Sequence, residues 1–325
     1  MSVKTSVTLY NLSREVYWNE MSVLDTIDEV GRLGADGVEI VAFQHLFNHP
    51  KSSPDDLKAF KARLDKNELD AACYGSYVDT AKKTNGFLSE IEKKELLKLD
   101  IDIASSLGFK VIRLNWNTSL PILIELLPYA EKKNVKLSLE MHAPLTVNHP
   151  FAEVYIKAMK EADTPFFGIC PDFSAWARCL PGRFAEMLKA MAVPGPALKL
   201  MNDSLMKGGS LIEIKQDAHD LGMPKELDQL VDLVYHIVCY QPVETLNEIM
   251  PLVNHFHAKF WGADSKGGMP AIPFAELLSL INKSSYDGFI TSEYEGYMFD
   301  EKSRGVESTQ KELEIINKYL GKEGV

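Results

Sequence analysis

Short segments rich in β-branched and aromatic residues alternate along the chain with segments whose apolar residues recur at helical spacing. This alternation is typical of parallel βα units rather than of an all-β or all-α fold. It predicts eight strands, over residues 6–10, 37–42, 70–77, 111–116, 136–142, 166–172, 253–260 and 288–295. Eight parallel strands are the number that closes a barrel. We therefore predict an α/β fold, a (β/α)8 or TIM barrel.

Helix start and stop signals occur between the predicted strands. Ser53 precedes a proline, and Ser89 has Glu92 three residues later, as in a capping box. Gly34 and Gly108 each follow an apolar stripe and are typical of helix ends. The predicted helices are 21–33, one that begins at 53, 89–107, 119–133, 150–162, 273–282 and 307–320.

One interval is too long for a single crossover helix. Residues 183–251 contain turn signals at 194–196 and 207–209, and they predict extra helices over 211–221 and 227–240. The apolar stripe of the second helix either packs on the barrel or faces a partner. An insertion after the sixth strand lies at the mouth where barrel enzymes keep substrate loops. We predict a single domain, 1–325, with an insertion at about 183–251.

Composition narrows the classes of function. The 325 residues are 46% hydrophobic and 25% charged, which is ordinary for a globular protein, and the net charge is -11. A nucleic-acid backbone would be repelled, because no basic patch offsets that charge. The four cysteines lack metal-ligand spacing and are expected to be reduced thiols. No signal peptide or membrane span is evident, so we expect a soluble, cytoplasmic protein.

Ionisable side chains end four of the predicted strands. Glu140 and His142 share one strand face about 6.6 Å apart along the strand. The sixth strand ends at Asp172, the seventh carries His257 and the eighth carries Glu293. Because the strand ends of a barrel meet at one mouth, these groups are expected to converge. Three carboxylates and an imidazole suit Mn²⁺ or Mg²⁺ better than a structural zinc ion.

Simpler roles remain open for several of these residues. Glu140 could simply be an exposed carboxylate at a strand end. Asp172 could be the N-cap of the next turn, a role that is compatible with metal binding. His255 shares its face with His257 and Lys259. We favour His257 as the ligand because it lies nearer the mouth, with His255 behind it or facing substrate.

Further polar residues point inward near the same mouth. Glu39, Arg113 and Asn115 alternate inward on the second and fourth strands, where they would suit sugar hydroxyls or a carbonyl. A buried ion pair between Arg113 and Glu39 is the structural alternative. Glu295 shares the face of Glu293 and is either a substrate contact or a solvated charge on the rim.

The chain resembles the xylose-isomerase-like TIM barrels of the sugar phosphate isomerase/epimerase superfamily. The resemblance covers almost the whole chain. It implies a metal-binding member with Glu140, Asp172, His257 and Glu293 as ligands. The motifs that carry it are Gly34-Ala-Asp-Gly-Val-Glu39, Glu140, Asp172, His255-Phe-His257-Ala-Lys259 and Glu293.

Within that superfamily, Glu140-Met-His142 and the long insertion are most similar to the α subunit of bacterial C-glycoside deglycosidases. This resemblance implies a small β subunit in a hetero-oligomer, a 3-oxo-C-glycoside substrate, Mn²⁺ with Mg²⁺ or Co²⁺ as alternatives, and His142 as general base. A ketone at C3 acidifies the C2 proton, and a divalent ion would stabilise the enolate as a Lewis acid. Loss of the aglycone is then a β-elimination.

Other functions begin with the same proton abstraction beside a carbonyl. An isomerase or epimerase would use Glu140 and Glu293 as acid and base, although Asp172 is followed by Phe173-Ser174-Ala175 instead of the Asp-x-x-His of many ketose 3-epimerases. An inosose-dehydratase-like elimination and a non-catalytic sugar-binding subunit are further alternatives. A nuclease of the endonuclease IV group would need more than the eight histidines here.

Overall fold

A computed structural model describes residues 3–78, 82–83, 86–116, 118–207, 211–262, 269–299 and 304–322. Eight parallel strands form one sheet in the order β6-β5-β4-β3-β2-β1-β8-β7, so that neighbours in sequence are neighbours in space. The predicted (β/α)8 barrel is confirmed. The strands are β1 Lys4–Thr8, β2 Gly37–Val41, β3 Asp70–Ser76, β4 Val111–Leu114, β5 Lys136–Met141, β6 Phe167–Pro171, β7 Phe256–Phe260 and β8 Phe289–Tyr294.

The barrel is nearly closed between β6 and β7, where isolated bridges replace a continuous ladder. One bridge pairs Ile169 with Val253, and the other pairs Asp172 with His257. We call this junction the seam. The second bridge sets two of the predicted metal ligands side by side, and the long insertion leaves and re-enters the barrel at the same place.

Helices connect the strands and cover the outside of the sheet. Three of them begin with the capping box, at Ser22, Ser53 and Ser89, and the last two of these were predicted as helix starts. The helices are α1 Ser13–Tyr17, α2 Val23–Arg32, α3 Ala42–His45, α4 Pro54–Lys66, α5 Glu90–Leu107, α6 Leu120–Lys132, α7 Pro150–Ala162, α8 Gly182–Ala190, α9 Gly195–Lys207, α10 Leu211–Asp220, α11 Asp228–Ile237, α12 Leu246–Ile249, α13 Phe274–Lys283 and α14 Gly305–Tyr319.

The helical insertion after the sixth strand is present, with α8 to α11 as its main elements. The sequence predicted α10 and α11 but missed α8 and α9. The turn predicted at 194–196 is in fact the start of α9, where Pro196 lies in the first turn and its missing N–H costs nothing. Val231 and Val234 of α11 are fully buried in the main hydrophobic core, so this stripe packs inward rather than facing a partner.

The part of the chain that the structure describes contains no helix with the length and apolar character that crossing a bilayer requires. The apolar core lies mainly between the sheet and the surrounding helices. Several polar side chains are fully buried, Ser6, Glu39, Arg113, Ser138 and His255 among them. Such residues stand where aliphatic side chains usually fill a barrel, and they lie beneath the candidate site.

We expect Gly168→Ala to weaken the seam. A Cβ at this position of β6 would lie 2.3 Å from the carbonyl oxygen of Leu252, so the backbone on one side must move. The free energy of unfolding should fall by about 1–3 kcal/mol in urea titrations, the usual range for overpacking. Gly195→Ala is the control, because its Cβ would meet no described atom within 4 Å. Equal stability of the two variants would contradict the close approach at the seam.

Candidate metal centre

Four buried side chains from, or directly after, consecutive strands converge near one mouth of the barrel. Glu140 comes from β5, Asp172 follows β6, His257 lies on β7 and Glu293 on β8. Each offers one ligand atom, and these atoms all lie within 4.8 Å of one another. The four predicted ligands are therefore brought together, because the parallel strands of a barrel end at the same face.

Three atoms of this cluster have no aligned hydrogen-bond partner among the described residues: His257 Nδ1, Asp172 Oδ2 and Glu293 Oε2. His257 Nδ1 lies 3.1 Å from Glu140 Oε1 and 3.1 Å from Glu293 Oε2, as ion pairs. Buried polar atoms are normally satisfied, so three such atoms facing one point fit a bound cation. One imidazole nitrogen and three carboxylates form a donor set that suits a hard divalent ion.

Glu39 determines which nitrogen of His257 faces the cluster. Its Oε2 lies 2.7 Å from His257 Nε2. An ionised carboxylate only accepts hydrogen bonds, so Nε2 donates and Nδ1 is directed to the other three ligands. Metal-binding histidines commonly donate their second N–H to a carboxylate, which fixes the ring orientation.

The same carboxylate holds two further residues beneath the cluster. Arg113 Nε lies 3.1 Å from Glu39 Oε1, and Arg113 Nη1 lies 2.7 Å from Glu140 Oε2. His255 Nε2 lies 3.1 Å from Glu39 Oε2 and 2.6 Å from Thr291 Oγ1. The ion pair between Arg113 and Glu39 is thus present. Glu39, Arg113 and His255, three of the six predicted substrate contacts, are buried and touch each other or a candidate ligand.

Lys259 and Glu295 also border the cluster. Lys259 Nζ is 3.0 Å from Asp172 Oδ2, 3.2 Å from Glu293 Oε2 and 3.4 Å from Glu295 Oε1. These contacts are ion pairs and lack the alignment of hydrogen bonds. Among the residues that the structure describes, the cluster and its immediate neighbours contain five carboxylates, and Lys259 and Arg113 are the lysine and arginine paired with them. A divalent ion would offset the remaining negative charge.

Two ligand carboxylates are held in the ionised form that metal binding requires. Burial alone would raise the pKa of Glu140, but the charges of Arg113 and His257 hold it well below its usual range. Burial also acts on Glu293, where His257 and Lys259 lower the pKa to about 2. Both side chains are therefore carboxylates at neutral pH.

Asp172 and His257 are shifted in the opposite direction. Burial raises the pKa of Asp172, against the attraction of Lys259. Burial would lower the pKa of His257, but the charges of Glu293 and Glu39 raise it well above its usual value. A metal ion at Nδ1 requires the neutral ring, so metal binding would release a proton here.

The two carboxylate oxygens of Asp172 face different partners. Its Oδ1 accepts a hydrogen bond from the backbone N–H of Ser174 at 2.8 Å and caps the short turn Phe173–Trp176. Its Oδ2 faces the other three candidate ligands. The N-cap and the metal-ligand interpretations are compatible, as the sequence suggested.

His142 directly follows β5 and is half-buried. Its Nδ1 forms a short contact with the carbonyl oxygen of Ala143, which can only accept, so Nδ1 donates and Nε2 is left as the acceptor. Burial acts to raise the pKa of Glu140 and of Glu295, and a charge on His142 would act to lower both, so His142 lies within electrostatic range of the two carboxylates. Asn115 lies one residue beyond β4, where its carbonyl oxygen accepts from Thr118 N–H.

Aromatic residues near the site were missed from sequence. Tyr77 follows β3, and its hydroxyl accepts a hydrogen bond from Arg113 Nη1 at 3.2 Å. Tyr10 packs edge-on against Tyr297 with ring centroids 5.7 Å apart. Burial and then the charge of Glu295 raise the pKa of Tyr10 to about 12. Both Tyr10 and Tyr77 stood at the end of predicted strands, the same position that singled out the charged ligands.

The profile of the family described as "Xylose isomerase-like TIM barrel" matches residues 27–193, just over half of the chain. The chain belongs to this family. The 3'-dehydrocarminate deglycosidase alpha subunit of a Microbacterium species is 27% identical to this chain, over 98% of this chain and 95% of the relative. A C-glycoside deglycosidase alpha subunit of Arthrobacter globiformis is also 27% identical, over 91% of this chain and 86% of the relative.

Solved structures agree with the xylose isomerase-like fold. A D-psicose 3-epimerase superimposes with a TM-score of 0.58 over 98% of this chain and all of that structure, at 12% sequence identity. At that identity the similarity establishes the fold alone. The alpha subunits, by contrast, are similar in sequence along nearly the whole length of both chains.

We expect Asp172→Asn to lose affinity for Mn²⁺ while the protein stays folded, because the amide keeps the cap on Ser174 but removes the charge that faces the cluster. The loss measured by calorimetric titration should exceed the ~10–100-fold that residues outside the ligand set cost. Glu295→Gln, which changes a neighbouring carboxylate outside the cluster, should lose far less. Full metal occupancy in Asp172→Asn would show that the ligand set is wrong.

Proposed function

We propose that this xylose isomerase-like barrel is the catalytic α subunit of a C-glycoside deglycosidase, a metal-dependent carbon–carbon lyase that acts on 3-oxo-C-glycosides of aromatic aglycones. The observation that carries the proposal is the similarity to curated alpha subunits over almost the full length of both chains. The convergence of four buried ligand atoms supports a metal-dependent reaction.

Glu140, Asp172, His257 and Glu293 would hold the ion, with Mn²⁺ as the first candidate. When bound, the ion would supply Lewis-acid polarisation of the ketone oxygen at C3. Glu39 acts as a positioning residue, because it orients His257 from behind. Arg113 joins Glu39 to Glu140 and holds the second ligand from the same side.

His142 acts as the general base. Ala143 engages Nδ1, so Nε2 is the nitrogen that takes the proton from C2. The residue follows β5 directly, two positions after Glu140, so the proposed base and a proposed metal ligand share one strand end.

The elimination balances without a further reactant. His142 removes the C2 proton, the C1–C2 double bond forms from that electron pair, and the bond from C1 to the aromatic carbon breaks. The aromatic carbon takes the bonding pair and one proton, assisted by a phenolic hydroxyl on its ring. The sugar leaves as an unsaturated ketone.

An epimerase or isomerase is the second candidate, because its reaction begins with the same proton abstraction beside a carbonyl. The solved structures with this fold include a D-psicose 3-epimerase and an L-ribulose 3-epimerase. In such a reaction a proton returns to the sugar, with Glu140 and Glu293 as acid and base, and no aglycone is released. Product analysis separates the two functions, because only the lyase yields a free aromatic compound.

We expect His142→Ala to keep its metal but to cleave a 3-oxo-C-glucoside at least ~100-fold more slowly, the usual size of a general-base effect. The measurements are release of the aromatic product and metal content by mass spectrometry. His236→Ala is the matched control, since this exposed histidine of α11 lies in the insertion. A rate near that of the wild type in His142→Ala would end the assignment of the base.

We expect the protein purified from its own host to carry a divalent metal and a small unlike subunit in native mass spectra. The basis is that the relatives are named alpha subunits. A metal with only copies of this chain would favour the isomerase or epimerase. A chain without metal would show that the four-residue site is assigned wrongly.

A further inference from the structure

An exposed aromatic ring stands at the mouth of the barrel. Phe43 belongs to α3, the single turn that directly follows β2, and 53% of its surface is exposed. Its ring meets the ring of Tyr77 edge-on, with centroids 5.5 Å apart and an interplanar angle of 82°. The two residues follow neighbouring strands, so together they form an aromatic ledge that we call the aryl shelf.

The aryl shelf is connected to the metal ligands. The Arg113 guanidinium lies 5.4 Å from the centre of the Tyr77 ring and donates to the Tyr77 hydroxyl at 3.2 Å. The same guanidinium donates to Glu140 Oε2 at 2.7 Å. Phe43, Tyr77, Arg113 and Glu140 therefore form a continuous row from the exposed edge of the mouth to the candidate centre.

A buried histidine, His45, and a half-buried one, His49, anchor the segment that carries Phe43. His45 Nδ1 accepts a hydrogen bond from the backbone N–H of Val41 at 2.9 Å. His49 Nε2 lies 2.7 Å from Asp100 Oδ1. Hydrogen bonds therefore hold the segment 41–49 at both ends, and the Phe43 ring is exposed on a well-anchored backbone.

Asp100 itself is tied to β3. Its carboxylate accepts hydrogen bonds from Tyr74 at 2.9 Å and from Ser76 at 2.5 Å. Because Tyr77 follows Ser76 directly, the same carboxylate fixes the strand end before Tyr77 and, through His49, the segment after Phe43. Both halves of the aryl shelf thus share one anchor, as expected of a preorganised binding surface.

We infer that the aryl shelf of Phe43 and Tyr77 binds the aromatic ring of the substrate and selects aryl glycosides over sugars without an aglycone. This inference rests on the proposed function. A sugar alone offers hydroxyls and needs polar partners, whereas a flat ring would bury the exposed face of Phe43 and gain edge or stacking contacts. The position of the shelf, outward from Glu140, matches an aglycone that projects from a sugar held at the ligands.

The test compares two probes in the purified protein or its native complex. The first is binding of an unoxidised aryl C-glucoside by calorimetry, which needs no turnover. The second compares a substrate that carries an aryl group with one that does not. It is the ratio of kcat/KM for cleavage of the matching 3-oxo-C-glucoside to the rate of deuterium exchange at C2 of 3-oxo-glucose. We expect Phe43→Ala to weaken aryl binding and to lower the ratio by about tenfold or more, mainly through KM.

Two further variants complete the design. Phe43→Tyr keeps the ring and should restore both values. Phe47→Ala is the matched control, because it removes an exposed phenylalanine (77% exposed) from the same segment and should change neither value. The shelf is overturned if the wild type does not bind the aryl glucoside, if Phe43→Ala behaves as wild type, or if Phe47→Ala causes the same loss. Aryl binding that depends on Phe43, without cleavage or exchange, would instead support the shelf and refute the proposed function.

Discussion

The candidate centre depends on one fully buried carboxylate. Glu39 accepts from His257, His255 and Arg113, and it is the only point that these three side chains share among the contacts of the described residues. Burial would raise its pKa, but the charges of His257 and Arg113 hold it well below the usual range. A buried charge is costly unless it is fully paired, and here the pairing also fixes the direction of two ligands.

The same constraint explains why the barrel interior is polar in one region. Once a carboxylate is placed beneath the ligands, it needs donors, and the positions that supply them replace aliphatic side chains. Arg113 satisfies Glu39 and Glu140 together, so the support and the site form one network. Removal of one member leaves the others unpaired, which makes such networks sensitive to change.

The sequence predicted the barrel because all eight strands alternate with helices, and it predicted Glu140, Asp172, His257 and Glu293 as neighbours because strand ends meet at one face. The sequence did not show how far below the mouth each inward-facing side chain lies. Alternation shows that Glu39 points inward, but only the packing shows that it lies behind His257.

Irregular segments were the main source of error. The first strand was predicted to reach residue 10, yet β1 ends at Thr8, because the apolar turn Leu9–Leu12 continues the alternation without sheet pairing. Phe43 escaped notice for a similar reason, since a helix of one turn shows no periodicity. The helix α9 was missed because the residues at its start, 194–196, are proline and glycine and were interpreted as a turn.

The seam has a mechanical consequence for the whole molecule. Two of the four candidate ligands, Asp172 and His257, stand on opposite sides of the junction where the sheet is least continuous. An ion bound by both residues would link β6 to β7 across the seam. Its binding energy would then add to resistance against global unfolding, since a ligand that binds only the folded state shifts the equilibrium by mass action. The metal ion would then stabilise the fold as well as take part in the reaction. Depletion of the metal would lower the free energy of unfolding.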